Sequence, residues 1–438
     1  MNTQLLNVTD LINGRPISKY QYGIFLLCAL AALMDGYDSV IIGITAPAIA
    51  QTLGLDVKTF GPVFSAAQFG FMLGAFIAGP VADRMGRKSI LIGSVALYGL
   101  FSLLTPVAGT YNHLLVLRFL TGLGLGGASA TFVSICTEYS PVRVRATIIS
   151  VLWALLPAGN VIGGLLSSVI LPTHGWVPVY YIGGVVPLVT AVIMLLMVPE
   201  SVSFLVTKQA PAPRIASIVG RLAPEAPQSA TTQYAVNDAG PSSASVRHLF
   251  TSGRSFVTIC YWVSFFCCWL VLITVLAWTV PVLREAGIPI SKASLMISAN
   301  SFGAVIGAPI IGRIMDGTDP KLTVLIGLLL GAVAVFLLGF SASSANLLAI
   351  NFFVAGFTVG GTSAGMVGLV ATAYPTAIRS TGIGWAIGVA RLGAVCGPVA
   401  AGMMLASGWG LKGFFAAMGV VTLLAALAVL VLRSGEKR

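Results

Sequence analysis

Apolar runs of about 20 residues recur from one end of the chain to the other, and this repetition constrains the fold more than any other feature. A helix that crosses a bilayer needs roughly 20 consecutive apolar residues. Twelve such runs are read, at 20–48, 60–82, 88–108, 112–137, 146–171, 177–198, 255–283, 293–315, 321–341, 344–373, 380–407 and 411–432. They are continuous and do not alternate polar with apolar, which excludes a β-barrel. A soluble globule is excluded by charge. Of 438 residues only 8% are charged and 57% are hydrophobic, too little charge to cover a water-facing surface of that size. The expected class is an all-α, multi-pass membrane protein of twelve transmembrane helices with the lipid bilayer as its surroundings.

The basic residues set an orientation. There are 24 Lys and Arg. With the N-terminus placed in the cytoplasm, Lys58, Arg284, Lys292 and Lys412 face outward, and Arg118 and Arg391 fall inside spans. The remaining 18, among them Arg84, Arg87, Lys88, Arg143, Arg145, Arg379 and Arg433, collect on the inner side. That asymmetry is the positive-inside signal, so both termini are expected in the cytoplasm. The net charge of +11 follows from it, and no nucleic-acid partner is expected. Cys28, Cys136, Cys260, Cys267, Cys268 and Cys396 sit in or beside spans without metal-ligand spacing and read as small packing residues. The first 19 residues are polar and the first apolar run is long, so no cleavable signal peptide is expected.

The chain divides in two. Residues 200–253 are rich in Ala, Pro, Ser and Gln and interrupt the spans midway. They read as a cytoplasmic linker between an N-terminal six-helix half, 1–199, and a C-terminal one, 254–438. Within the linker, "RIASIVGRL" fits a short interfacial helix. The halves match each other at a fixed offset. "GAFIAGPVAD" from 74 and "GAPIIGRIMD" from 307 share G-A-x-I-x-G-x-x-x-D, 233 apart. "GLGLGGASA" from 122 and "GFTVGGTSA" from 356 share G-x-x-x-G-G-x-S-A, 234 apart. "PVRVRAT" from 141 and "PTAIRST" from 375 share P-x-x-x-R-x-T, again 234 apart. Three matches in order imply an internal parallel repeat, the plan of transporters with a binding site between two halves.

A family resemblance rests on these same segments. "GPVADRMGRK" (79–88), "RFLTGLGLGG" in span four and "PES" (199–201) resemble the signature motifs of the major facilitator superfamily over the whole chain. "DGYD" in span one, "RFLTGLGLGGASAT" in span four and "YPTAIRSTGIGWAIGVARLGAVCGP" (374–398) look like the aromatic acid:proton symporters within it, with Ala390 where glycine is expected before the arginine. The resemblance implies the major facilitator fold, a bacterial inner membrane, and import of a benzoate-type or hydroxylated aromatic carboxylate with protons by alternating access. No cofactor is expected beyond the co-transported proton, and the protein is expected to act as a monomer and not as an enzyme.

Four charges inside spans point to the same chemistry. An aspartate at a helix centre costs roughly 2.5–3.5 kcal/mol on insertion scales, so Asp35 and Asp38 should face a wet cavity or find partners. Three residues apart, they share a helix face. At about 1.5 Å per residue Asp35 lies roughly 22 Å from the inner start of span one, and Arg118 roughly 9 Å below the outer start of span four, at matching depth. Asp35, Asp38 and Arg118 are therefore the proton-coupling candidates, against the plainer reading of an ion pair that only fastens the two spans. Arg391 lies near the midplane with no acid in spans eight to twelve to neutralise it. A guanidinium grips carboxylates in a bidentate fork, so Arg391 is the candidate anion site, unless it is solvated by carbonyls or paired with Asp35 or Asp38. For the aromatic ring the candidates are Tyr37, Trp153, Trp278 and Trp385, and for ring hydroxyls Gln68, Asn160 and Asn300.

Other features read as machinery or scaffold. Asp83, followed by Arg84, Arg87 and Lys88, is placed to accept N–H bonds at a facing helix start. By the superfamily's analogy that helix is span eleven and the contact latches the outward-open state, with Glu138 and Arg145 extending the network. "GLGLGG" fits a dinucleotide fingerprint only literally, since it lies inside a span and lacks a βαβ unit. Its glycines suit close helix approach. His113, His174 and His248 lie in three separate loops and offer no metal or hydrolytic site. The rival readings are a proton-coupled exporter of drugs or other organic ions and a non-transporting sensor of aromatic acids. One proton makes import of a monoanion electroneutral, whereas two would also draw on the potential, worth about 2.3 kcal/mol per charge per 100 mV.

Overall fold

The computed structural model describes residues 5–223, 233–235, 246–251 and 254–432. After a short strand β1 (Leu5–Asn7) and helix α1 (Val8–Asn13), the chain enters six long helices: α2 (Lys19–Leu53), α3 (Gly61–Met85), α4 (Arg87–Leu104), α5 (Tyr111–Tyr139), α6 (Val142–His174) and α7 (Val177–Met197). The middle stretch holds α8 (Val202–Thr207), α9 (Ala212–Leu222) and strand β2 (Gln233–Ala235). Then come α10 (Ser255–Glu285), α11 (Ile290–Gly317), α12 (Pro320–Leu338), α13 (Ala345–Ala355) and α14 (Gly361–Ala373), α15 (Thr376–Ala406) and α16 (Leu411–Leu430). A single π-helical turn, Gly356–Gly360, joins α13 to α14. Counting that pair as one crossing, twelve helices among the described residues are long and apolar enough to span a membrane.

Each span read from the sequence is present, and several helices outrun the apolar run by a turn because capping, not hydropathy, ends them. Helix α2 starts at a capping box in which the Ser18 hydroxyl accepts from Gln21 N–H and the Gln21 side chain accepts from Ser18 N–H. It runs past the apolar stretch to Gly54, whose φ of 64° stops it. The "RIASIVGRL" helix forms as α9 and buries Ile215, Ile218, Val219 and Leu222. The parallel pairing of β1 with β2 was not legible, because three-residue strands carry no periodicity. Of the linker read at 200–253, residues 224–232, 236–245 and 252–253 lie outside the described residues, as does Arg433.

The glycines of span four do bring helices close. A Cβ on Gly122 or Gly126 would run into the α3 backbone at Ala67 or Phe71. Helices α2 to α7 and α10 to α16 meet along three seams, α2 on α10, α3 on α15 and α6 on α11. The close contacts of these seams gather at one end. There Lys58 pairs with Glu285 at 2.9 Å, Ser65 donates to the Val395 carbonyl at 2.6 Å, and Ser298 donates to the Val161 carbonyl at 2.9 Å. Phe64 meets Trp278 edge-on with centroids 5.2 Å apart. At the other end Asp83, Arg84 and Arg379 are exposed, and Cβ atoms on Gly384 and Gly388 of α15 would point into open space. The helices therefore enclose a cleft shut at one end and open at the end that carries the basic loops.

Candidate functional site

A small cavity lies beneath the shut end, between α2, α3, α5 and α10. Asp38, Ser39, Gln68, Phe71, Arg118 and Leu276 are among its lining residues. It offers about 40 Å³ to the centre of a water molecule, room for about three waters. A ring-sized cargo requires the halves to part.

Asp38 and Arg118 form a closed polar cluster at its wall. Arg118 Nη1 stands 3.3 Å from Asp38 Oδ2, and Ser102 Oγ donates to Asp38 Oδ1 at 2.7 Å. A second guanidinium nitrogen donates to Thr105 Oγ1, and the guanidinium carbon lies 5.2 Å from the Tyr180 ring centroid. Tyr180 is in turn held by Thr45 at 2.9 Å. Both charged residues are buried, at 4% and 0% exposure. Both oxygens of Asp38 and two of the three guanidinium nitrogens are thus engaged, Arg118 Nε alone lacking a partner among the described residues. A buried pair held in this way is costly to break from one side. The depth arithmetic brought Arg118 level with Asp35. The structure sets it against Asp38, nearly one turn further along, a difference within the error of a helix start.

Asp35 is treated differently. It is 1% exposed, its Oδ2 has no hydrogen-bond partner, and its other oxygen is 3.5 Å from Ser39 Oγ. The charges that act on it are those of Arg391 and Asp38. Arg391 acts on it through space from α15, in the other bundle, without an ion pair between them. The guanidinium of Arg391 lies between two rings, 4.1 Å from the Phe71 centroid and 4.6 Å from that of Trp269. Each such contact is worth about 0.5–2 kcal/mol. Together they hold the guanidinium in place, and its N–H groups make no hydrogen bond or ion pair among the described residues.

The other candidates separate. Gln68 lines the cavity. Tyr37 does not. It is 1% exposed and donates to the Val179 carbonyl at 2.9 Å, so it packs α2 onto α7. Trp278 is fully buried, donating to the Pro398 carbonyl at 3.0 Å, and belongs to the shut end. Trp153 and Trp385 are 44% and 46% exposed and are absent from the cavity wall. Trp385 stacks on Trp262 at 5.8 Å. Asn300 donates to the Phe352 carbonyl at 3.1 Å, just before the π turn. Asn160 Oδ1 is buried without a partner.

At the open end, Asp83 and Arg84 make no ion pair or hydrogen bond among the described residues, because the two bundles stand apart there. Glu138 pairs with Arg87 and not with Arg145, whose guanidinium instead donates to the Ser140 carbonyl at 3.3 Å. Lys88 Nζ donates to the Leu195 carbonyl at 2.8 Å. Sequence reasoning passed over Glu200, although "PES" was noted. Its carboxylate accepts from the N–H of Lys88 and of Ser201, each at 3.0 Å, and so caps α4. It also passed over Ser102 and Thr105, whose spacing on one helix face marks a pair of inward hydroxyls, and Phe71 and Trp269.

Twelve crossings, three seams between two bundles, and buried opposing charges at the seam define a membrane transporter of the rocking two-bundle kind. The chain belongs to the Major Facilitator Superfamily, whose sequence profile matches residues 28–284 and 257–438. The narrower resemblance to the aromatic acid:proton symporters is met by curated relatives. The chain is 35% identical to a gallate transporter of Pseudomonas putida over 426 residues, 97% of this chain and 94% of that one. It is 34% identical to the 4-hydroxybenzoate transporter PcaK of the same organism, covering 97% and 95%. Among solved structures it resembles a D-xylose-proton symporter, with a TM-score of 0.72 at 19% identity over 95% of this chain and 98% of that one, a likeness of fold.

Proposed function

We propose that the protein imports an aromatic carboxylate together with a proton, Asp35 carrying the proton and Arg391 holding the carboxylate. One observation carries the reading. Of two aspartates on one face of α2, Asp38 is neutralised and hydrogen-bonded by Arg118 and Ser102, while Asp35 keeps an unpartnered oxygen and shares the field of Arg391. When the cargo's carboxylate takes the fork of Arg391, Asp35 loses its counter-charge, faces a like charge, and takes up a proton. One monoanion and one proton then cross without net charge. Phe71 and Trp269 supply a ring-lined wall beside the fork, which suits a flat aromatic cargo. The relatives' substrates support the same class.

With the basic end in the cytoplasm, as the positive-inside asymmetry favours, the cleft described above faces inward, and the outward-facing form arises by rocking of the bundles. Asp83 would then meet the start of α15 in that form alone. The reading calls for a monomer, no cofactor and no enzymatic step. The test is uptake by proteoliposomes of labelled benzoate, hydroxybenzoates, dihydroxybenzoates and phenylpropionates, with and without an inward proton gradient. Gradient-driven accumulation of at least one acid is expected. Accumulation of none, or extrusion of organic cations, ends the reading.

A further inference from the structure

We infer that Asn160 and Ser301, one from each bundle, form the subsite that reads a ring hydroxyl on the cargo. The inference rests on the proposed transport of an aromatic carboxylate and refines it.

Helices α6 and α11 cross antiparallel and are joined where Ser298 Oγ donates to the Val161 carbonyl. A Cβ on Gly164 would stand 2.8 Å from the Ser294 carbonyl, so the backbones touch there. From this junction the open end lies towards lower numbers on α6 and higher numbers on α11. Asn160 immediately precedes Val161, and Ser301 is one turn past Ser298, so both occupy the open side of the junction, one on each bundle. The neighbouring Gly159 packs on α2 between Leu33 and Tyr37, the turn that contains Asp35. The pair therefore stands level with the proposed proton carrier.

Both groups are unsatisfied. Asn160 Oδ1 and Ser301 Oγ are buried with no partner, and Ser301 is 2% exposed. Their neighbours are not in this condition. Ser294 donates to the Ile290 carbonyl at 2.8 Å, Ser298 to Val161, and Asn300 to the Phe352 carbonyl. Among the other buried serine and threonine hydroxyls, Ser167, Thr274 and Thr362 also lack partners. Ser167 lies on the shut side of the junction, while Thr274 and Thr362 face Gly397 and Gly327 inside one bundle. Natural proteins rarely leave buried polar atoms unpaired outside functional sites. The ligand's chemistry follows from the atoms. An amide oxygen only accepts, and a serine hydroxyl gives or takes. A carboxylate has no proton to give to Asn160 Oδ1, whereas a phenolic hydroxyl donates to it and accepts from Ser301. Arg391 then takes the anionic end of the cargo and this pair takes the phenolic end.

The experiment compares uptake of 4-hydroxybenzoate, 3-hydroxybenzoate and benzoate in proteoliposomes for the wild type, Asn160→Leu and Ser301→Ala. A site built to bond a hydroxyl discriminates strongly against the analogue that lacks it. The wild type is expected to prefer a hydroxylated acid at least about tenfold in kcat/KM. Asn160→Leu should erase most of that preference by lowering uptake of the hydroxylated acid alone, and Ser301→Ala should reduce it several-fold. The thermal midpoint of Asn160→Leu should hold or rise, since an unpaired buried oxygen is removed. Equal losses on all three acids, or an unchanged ratio in both variants, overturns the inference while leaving aromatic-acid transport standing. A wild type that accumulates none of the three overturns both.

Discussion

Asp38 is locked and Asp35, three residues before it on the same helix, is not. The first has Arg118 at 3.3 Å and Ser102 at 2.7 Å on its two oxygens, and the second has an oxygen with no hydrogen-bond partner among the described residues. Asp38 fastens α2 to α4 and α5; on the proposed reading its neighbour on the same face is the proton carrier.

The division predicts opposite phenotypes. Asp35→Asn should fold with a near-native thermal midpoint, bind cargo, and lose both gradient-driven accumulation and the pH dependence of uptake. Asp38→Asn should leave Arg118 buried without a counter-charge, at a cost of about 3–5 kcal/mol, read as a lowered thermal midpoint and poor yield. Adding Arg118→Met should recover much of that stability without restoring full transport. Wild-type accumulation by Asp35→Asn, or an unmoved midpoint in Asp38→Asn, contradicts the assignment.

The fold was legible because hydropathy over 20 residues is a one-dimensional signal, and the bilayer admits few solutions to it. The buried charges were legible for the same reason, as exceptions to an apolar run. Pairing was harder. Depth along two helices placed Arg118 within a turn of the right aspartate but could not choose between residues three apart, since the choice depends on helix rotation. The facing of ring-bearing residues was the least legible. Tyr37 and Trp278 are in spans yet point into helix packing, while Trp269, which holds Arg391, is distinguished from them only by facing. The helical stripe Trp269–Ile273–Leu276 was the available clue, and two of its members line the cavity.

Arg391 should not be replaceable by lysine. Its guanidinium is clamped at 4.1 and 4.6 Å from two ring centroids, and an ammonium offers neither the flat face nor the two-pronged edge. Arg391→Lys should weaken half-saturation for the carboxylate at least about tenfold. Trp269→Leu, losing one stacking contact of about 0.5–2 kcal/mol, should weaken it by roughly 2- to 30-fold with Arg391 still present. Concentration dependence of counterflow, which needs no proton gradient, measures both. Unchanged half-saturation in Arg391→Lys would remove this residue from the binding site.

Glycines at the two ends of the cleft should bias the rocking in opposite senses. A Cβ at Gly43 on α2 would stand 2.7 Å from the Ala277 carbonyl oxygen on α10, a backbone atom that cannot yield. Gly43→Leu should therefore wedge the shut end apart, since overpacking of a tight contact costs about 1–3 kcal/mol and that cost falls only on the conformation described here. Gly388→Leu adds its side chain where this conformation has open space. Its penalty falls instead on the form in which the basic end closes, so it should hold the protein in the present one. Spin labels at Lys58→Cys and Glu285→Cys, with the exposed Cys396 changed to serine, report the separation across the shut end. Gly43→Leu should lengthen that distance and Gly388→Leu should narrow its distribution around the short value, and both should slow uptake. Distances that stay put in both variants while uptake continues would mean that these seams are not where the bundles part.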